Sequence, residues 1–237
     1  MVTLKEKVFN RITDDFQVLT HEVFQQLQLI EQMMDDNENE KLQAEIYNNE
    51  RIIDSLEVKM RSEVINTIVL YTPRATNLRI IISYYDMTAY LERIGDLIMN
   101  LANFLKKTDI RGELFLQYKG RLKEMLSIAR RMTQNSIQAF ISGEIGLAKE
   151  VIELDDQVDE FFHTINRQLV DTRMRDDTTS QEVIDLLSIS SMVYNIERIG
   201  DNATNISEAA IYLIQGRNVR HMDHQDDADA LLAGNRE

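Results

Sequence analysis

From Ile12 onward the apolar residues return at alternating intervals of four and three: Ile12, Phe16, Leu19, Val23, Leu27, Ile30 and Met34. That recurrence draws one apolar stripe along a helix and predicts a bundle helix from Leu4 to Met34 that ends near Asp35. After the polar DDNENE a second stripe follows, made of Leu42, Ile46, Ile53, Leu56, Met60 and Val64. It stops before YTPRAT, because Pro73 disfavours helix in the residue ahead of it. A third helix runs from about Thr76 to Lys107, with Leu91, Ile94, Ile98, Leu101 and Leu105 as its packing stripe. KKTDIRG at 106–112 reads as a joint, after which the pattern starts again. A helix near 113–141 carries Leu122, Met125, Ala129, Met132 and Ala139, ISGEIG makes a turn, and a fifth helix reaches about Arg175. DDTTSQ at 176–181 supplies capping residues for a sixth helix, which ends near Gly216, a good residue just past a helix end.

The second half repeats the first. YLERIGDLIMN and YNIERIGDNATN share Glu-Arg-Ile-Gly-Asp-x-x-x-Asn, and Glu92 lies 105 positions before Glu197. The same offset carries Leu42, Ile46, Ile53 and Leu56 onto Leu147, Val151, Val158 and Phe161 without a gap. A fixed period of this kind marks duplication of one supersecondary unit. The expected architecture is therefore all-α, with two tandem three-helix bundles over 1–108 and 109–216 and a disordered tail over 217–237, the alternative being a short helix around Ala-Leu-Leu.

Composition narrows the function. One proline and eight glycines in 237 residues suit helices, and the 43% apolar content is ample for a core. No cysteine is present, which excludes disulfides and thiolate metal sites and fits a reducing cytosol. The N-terminus lacks the apolar run of a signal peptide, and no stretch approaches the roughly 20 apolar residues of a membrane span, so a cytoplasmic protein is expected. A net charge of −14 repels nucleic-acid phosphates and anionic headgroups. A membrane would be reached only through a protein partner. Cations are what such a surface suits.

The acids repeat with the helices. On the second helix Glu50 and Asp54 stand four apart, as do Asp155 and Asp159 on the fifth, Glu92 and Asp96 on the third, and Glu197 and Asp201 on the sixth. Residues at i and i+4 are neighbours on a helix, where like charges repel by a few tenths of a kcal/mol. One such pair usually marks a solvated face, but four in register ask for a compensating cation. At 100° per residue, Glu92, Asp96 and Asn100 fall on a line roughly opposite the packing stripe, while the acids of the second and fifth helices lie closer to its edge. The acids are therefore expected on the outside of each bundle, where adjacent helices bring two lines together, and not in a sealed core. Carboxylate and amide oxygens without cysteine suit hard cations such as Mg²⁺, Mn²⁺ or iron. A glycine inside each acidic turn, Gly95 and Gly200, costs its helix roughly 1 kcal/mol relative to alanine and would let a neighbouring helix or a hydrated ion come close.

Two ERIGD motifs, the preceding Pro73, Leu78 and Arg79, paired acids one helix upstream in each half, and the ending GRNVRH resemble the PhoU family of phosphate-transport regulators over nearly the whole chain. One departure is Asn77, where the family often has aspartate. The resemblance implies paired three-helix bundles, E/D-x-x-x-D motifs that bind metal, and often a homodimer. Its metal motifs fall on Glu50, Asp54, Glu92, Asp96, Asp155, Asp159, Glu197 and Asp201, with Asn100 and Asn205 one turn further along. It also implies a cytoplasmic regulator that couples a phosphate ABC transporter, through its ATPase, to a sensor histidine kinase and represses the starvation response when phosphate is plentiful.

No phosphate-cradling loop, nucleophile elbow or kinase signature is present, so a non-enzymatic protein is expected. The alternative is a di-iron-like helical-bundle enzyme, which needs two Glu-x-x-His motifs facing inward. Glu160 and His163 supply one copy only. His221 and His224 sit in the acidic tail and read as part of a mobile end.

Overall fold

The computed structural model of the chain describes residues 4–173 and 179–215. Arg175, Asp176 to Thr178, Gly216 and the tail with His221 and His224 lie outside the described residues. Six helices follow one another: α1 Leu4–Met33, α2 Glu40–Tyr71, α3 Thr76–Leu105, α4 Glu113–Ser142, α5 Ile145–Arg173 and α6 Ser180–Gln215. The described residues contain no strand, and no helix among them is long and apolar enough to cross a membrane.

Local chemistry sets the boundaries. Asn39 caps α2 by accepting from the Leu42 N–H. At the far end Thr72, just before Pro73, turns left-handed (φ 41°) and returns its N–H to the Ile68 carbonyl. Gly143 ends α4 in the left-handed region (φ 76°), where a residue without Cβ fits without strain. Of DDTTSQ, Thr179 forms a reciprocal cap on α6: its hydroxyl accepts from the Glu182 N–H at 3.2 Å, and the Glu182 carboxylate accepts from the Thr179 N–H at 2.7 Å.

Helices α1, α2 and α3 pack on one another, as do α4, α5 and α6, giving the two expected bundles. The six stripe residues on α1 and Met34 just past its end are buried, as are Leu91, Ile94, Ile98, Leu101 and Leu105 on α3. The apolar periodicity does not foretell the extensive seam between α3 and α6, which joins the bundles. These are the two most apolar helices of the set, because each is covered on more than one side. A lesser contact between α1 and α4 holds an aromatic trio: Phe16 lies 5.1 Å from Tyr84 and 5.6 Å from Phe140, ring centre to ring centre. The α3–α4 joint is anchored to both halves. Asn37 donates to the Leu105 and Thr108 carbonyls at 2.7 and 3.2 Å, while buried Asp185 on α6 accepts from the Asp109 N–H at 3.2 Å.

Candidate functional site

In each half the two acid pairs face each other across one helix–helix contact. Helices α2 and α3 approach so closely at Gly95 that a Cβ there would lie 3.0 Å from Glu50 Oε2 and 3.4 Å from the Ile53 side chain. In the second half a Cβ at Gly200 would lie 3.6 Å from Asp155 Oδ1 and 3.5 Å from Val158. Both glycines are buried. Each admits the upstream carboxylate beside its own helix backbone, so the ERIGD glycine is a packing device that brings one acid line against the other.

Burial grades across each cluster. Glu50, Glu92, Asp96, Asp155, Glu197 and Asp201 are half-buried, and Asp54 and Asp159 stand exposed at the rim. The acids thus occupy the walls of an interhelical cleft, deeper than a line opposite the packing stripe would place them. The cause is the glycine contact, which draws the upstream helix over the acid line.

The charge is under-compensated. Burial, foremost, pushes the Glu50 carboxyl up to about 7 against the opposing pull of its Gln26 hydrogen bond, and Asp54, Asp96 and Glu92 push it further. Burial together with Asp201, Asp159 and Asp155 raises Glu197 to about 7, although Arg198 partly offsets them. Glu92 is raised by burial, then by Asp96, Glu57 and Asp54, and Asp201 is raised by burial and by Asp159. Mutual interaction of this kind places four carboxylates in one field in each half. Glu197 Oε2 is in addition buried without a hydrogen-bond partner.

The halves differ in their basic residue. Arg93 pairs with Asp96 at 3.3 Å, whereas Arg198 donates to the Tyr194 hydroxyl at 3.2 Å. Asn100 is exposed and lines a groove with Leu97, Phe104 and Tyr194, on the side of α3 turned toward α6. Asn205 is half-buried. It is Asn103, accepting from the Tyr47 hydroxyl at 3.1 Å, that extends the first acid line toward α2. Glu160 and His163 are exposed, and the His163 ring meets Phe162 edge-on at 5.4 Å.

Sequence periodicity also passes over Gln26. It is fully buried on α1 and donates from Nε2 to Glu50 Oε2 at 2.8 Å. The signal for it was present: a polar residue three positions after Val23 and one before Leu27 interrupts an apolar face.

The donor set fits a hard cation. It is all oxygen, it carries excess negative charge, and in the second half it includes an orphaned buried carboxylate oxygen. Among the described residues no three Asp, Glu or His groups already converge on one point, so the carboxylates stand side by side and unclosed. Alanine at the two glycines should then act oppositely. Gly200→Ala meets only ordinary contacts and gains helix propensity, so it should raise the melting temperature by about 2 °C. Gly95→Ala must displace Glu50 and should give no gain, which differential scanning fluorimetry of both variants in chelator will read.

The family model described as PhoU domain matches residues 17–105 and 122–210, two stretches whose starts and ends are both offset by the 105-residue period seen in the sequence. The chain is 32% identical over 186 residues to the phosphate-specific transport system accessory protein PhoU homolog of Aquifex aeolicus, covering 78% of this chain and 82% of that one. To PhoU of Escherichia coli K12 it is 28% identical over 215 residues, covering 87% and 86%. The crystal structure of PhoU from Pseudomonas aeruginosa superposes with a TM-score of 0.80 at 26% identity, covering 89% of this chain and 99% of that one. The phosphate transport system regulatory protein PhoU from Streptococcus pneumoniae superposes with a TM-score of 0.76 at 18% identity, covering 90% and 99%. With both PhoU domains matched and a relative 32% identical over most of both chains, this chain belongs to the PhoU family.

Proposed function

We propose that the protein is a non-enzymatic, cation-binding regulator of phosphate uptake. It works in the cytoplasm, as a homodimer, by docking on the ATPase of a phosphate ABC transporter and on a sensor histidine kinase, whose output it represses when phosphate is plentiful. The phosphate-transport role is supported by the names of the relatives. The observation that carries the cation-binding part is the facing of four carboxylates across each glycine contact, with Glu50 and Glu197 both driven toward the protonated form.

Glu50, Asp54, Glu92 and Asp96 would hold one ion or cluster of Mg²⁺, Mn²⁺ or iron, and Asp155, Asp159, Glu197 and Asp201 the other. A bound cation supplies positive charge that permits all four carboxylates to ionise together, and this fixes α2 against α3 and α5 against α6. Signalling then follows as a population shift between docked states, driven by the differential affinity of each partner. Val69 and Leu70, each 71% exposed at the α2–α3 end, leave an apolar patch that supports docking there. The half-buried edge position of the acids favours this reading over a sealed di-iron enzyme.

The test is a binding titration of the purified protein with the transporter ATPase and the kinase, in chelator and in Mn²⁺. The affinity should change by about fivefold or more on adding the ion. The double variant Asp96→Asn/Asp201→Asn should lose that response while still folding. No binding to either partner at any phosphate or divalent-ion concentration would sink the proposal.

A further inference from the structure

The two acid clusters have different second neighbours, and the difference centres on Gln26. The side chain is fully buried on the apolar face of α1 (0% exposed). Its Nε2 is satisfied twice, by Glu50 Oε2 at 2.8 Å and by the Ile46 carbonyl at 3.3 Å. Its Oε1 is buried with no hydrogen-bond partner. This oxygen and Glu50 Oε2 crowd one spot, lying 3.4 and 3.0 Å from where a side chain at Gly95 would begin.

An unpartnered buried amide oxygen is costly, and ionised carboxylates cannot relieve it because they only accept. Positive charge at the mouth of the cluster would. Packing does not demand an amide here. The position one repeat on is Arg131, which forms an ion pair with Glu150, and the place beside Gly200 corresponding to the Gln26 oxygen is taken by the Met132 methyl at 3.4 Å. An apolar group thus serves the same contact in the second half.

We propose that Gln26 is an oxygen ligand of the first cluster. The first repeat then holds its cation with mixed carboxylate and amide donors, the second repeat with carboxylates alone, and the two sites are inequivalent in affinity. This rests on the cation-binding reading of the clusters given above. Neutral amide carbonyls are ordinary ligands for hard divalent ions, and they complete a site without adding to the repulsion among its carboxylates.

The experiment silences the second cluster with Glu197→Gln/Asp201→Asn, so that only the first titrates, and compares Gln26 with Gln26→Met by Mn²⁺ calorimetry and thermal melts. Gln26→Met puts an apolar group of similar volume beside Gly95, as the Met132 methyl stands beside Gly200. In chelator it should still fold, with a melting temperature within a few degrees of the unmodified protein, since removal of the unpartnered oxygen offsets loss of the Nε2 bonds to Glu50 and Ile46. Its Mn²⁺ affinity should fall about tenfold or more, and the Mn²⁺-induced rise in melting temperature should shrink with it. Gln26→Glu keeps an oxygen at the site and should bind Mn²⁺ at least as tightly as Gln26. If the methionine variant does not fold, the glutamate variant decides: retained binding supports the assignment and lost binding overturns it. Affinity of Gln26→Met within about twofold of Gln26 would overturn the role of Gln26 while leaving the clusters as cation sites. Absence of Mn²⁺ binding in both the unmodified protein and the silenced background would overturn the two readings together.

Discussion

Phe16→Ala should destabilise the protein by about 3–5 kcal/mol and lower its melting temperature by about 10 °C. Phe16 is 1% exposed, and its ring meets Tyr84 edge-on, with planes 82° apart, so truncation leaves a cavity and removes an aromatic contact at once. Tyr84 is in turn edge-on to Phe140, at 5.1 Å and 90°. Because Phe140 belongs to α4, the loss falls on the junction of the two bundles as well as on the first core. Calorimetry should show the single transition of the unmodified protein broadening or dividing in the variant. A control deep in the second bundle alone, Met125→Ala, should lower stability without that broadening. A Phe16→Ala melt displaced by less than about 2 °C would mean that the trio contributes little.

In chelator the protein should lose stability as the pH rises from about 5 to 7.5, and a divalent cation should restore it at the upper end. Glu50 and Glu197 are raised from 4.5 to about 7 in the folded state. Between those values the folded chain binds more protons than the unfolded one, so their stabilising contribution is full below the unfolded value and is lost as the pH passes through 7. Glu92 and Asp201 are raised as well and act in the same direction. Asp35 is lowered by its Lys123 and Lys119 hydrogen bonds and acts in the opposite direction, but its exposed position keeps that contribution small. Solvent screening of half-buried groups brings the combined loss to about 2 kcal/mol, or about 4–8 °C. Glu50→Gln/Glu197→Gln should flatten the profile and remove the response to Mn²⁺. A flat profile in the unmodified protein would contradict the facing carboxylates as the source of strain.

The helices and the repeat were readable because each bundle buries one stripe per helix, and a stripe leaves a regular trace in one dimension. The seven residues from Ile12 to Met34 are such a trace, and all are buried. Leu56 is the member of the α2 stripe that stays half-buried. The pairing of the acid lines was readable through the 105-residue offset and the glycines. Their depth was not, because a helical wheel describes one helix, whereas Glu50 is buried by what α1 and α3 bring to it. Asn100 shows the same limit. It sits one turn beyond Asp96 in sequence, yet 3.6 residues per turn carries it round toward α6 and away from α2. Gln26 was visible only as a polar residue in an apolar face, and its meaning depended on Glu50 standing opposite.

The seam between α3 and α6 gives the duplication a mechanical consequence. Sequence divides the chain cleanly at 106–112, but the buried apolar residues of both halves form one continuous cluster. A copy severed at that point would present to water the flank it normally lays against its twin. What inheritance made as two modules should therefore unfold as one solid, with the α3–α6 seam as its common spine.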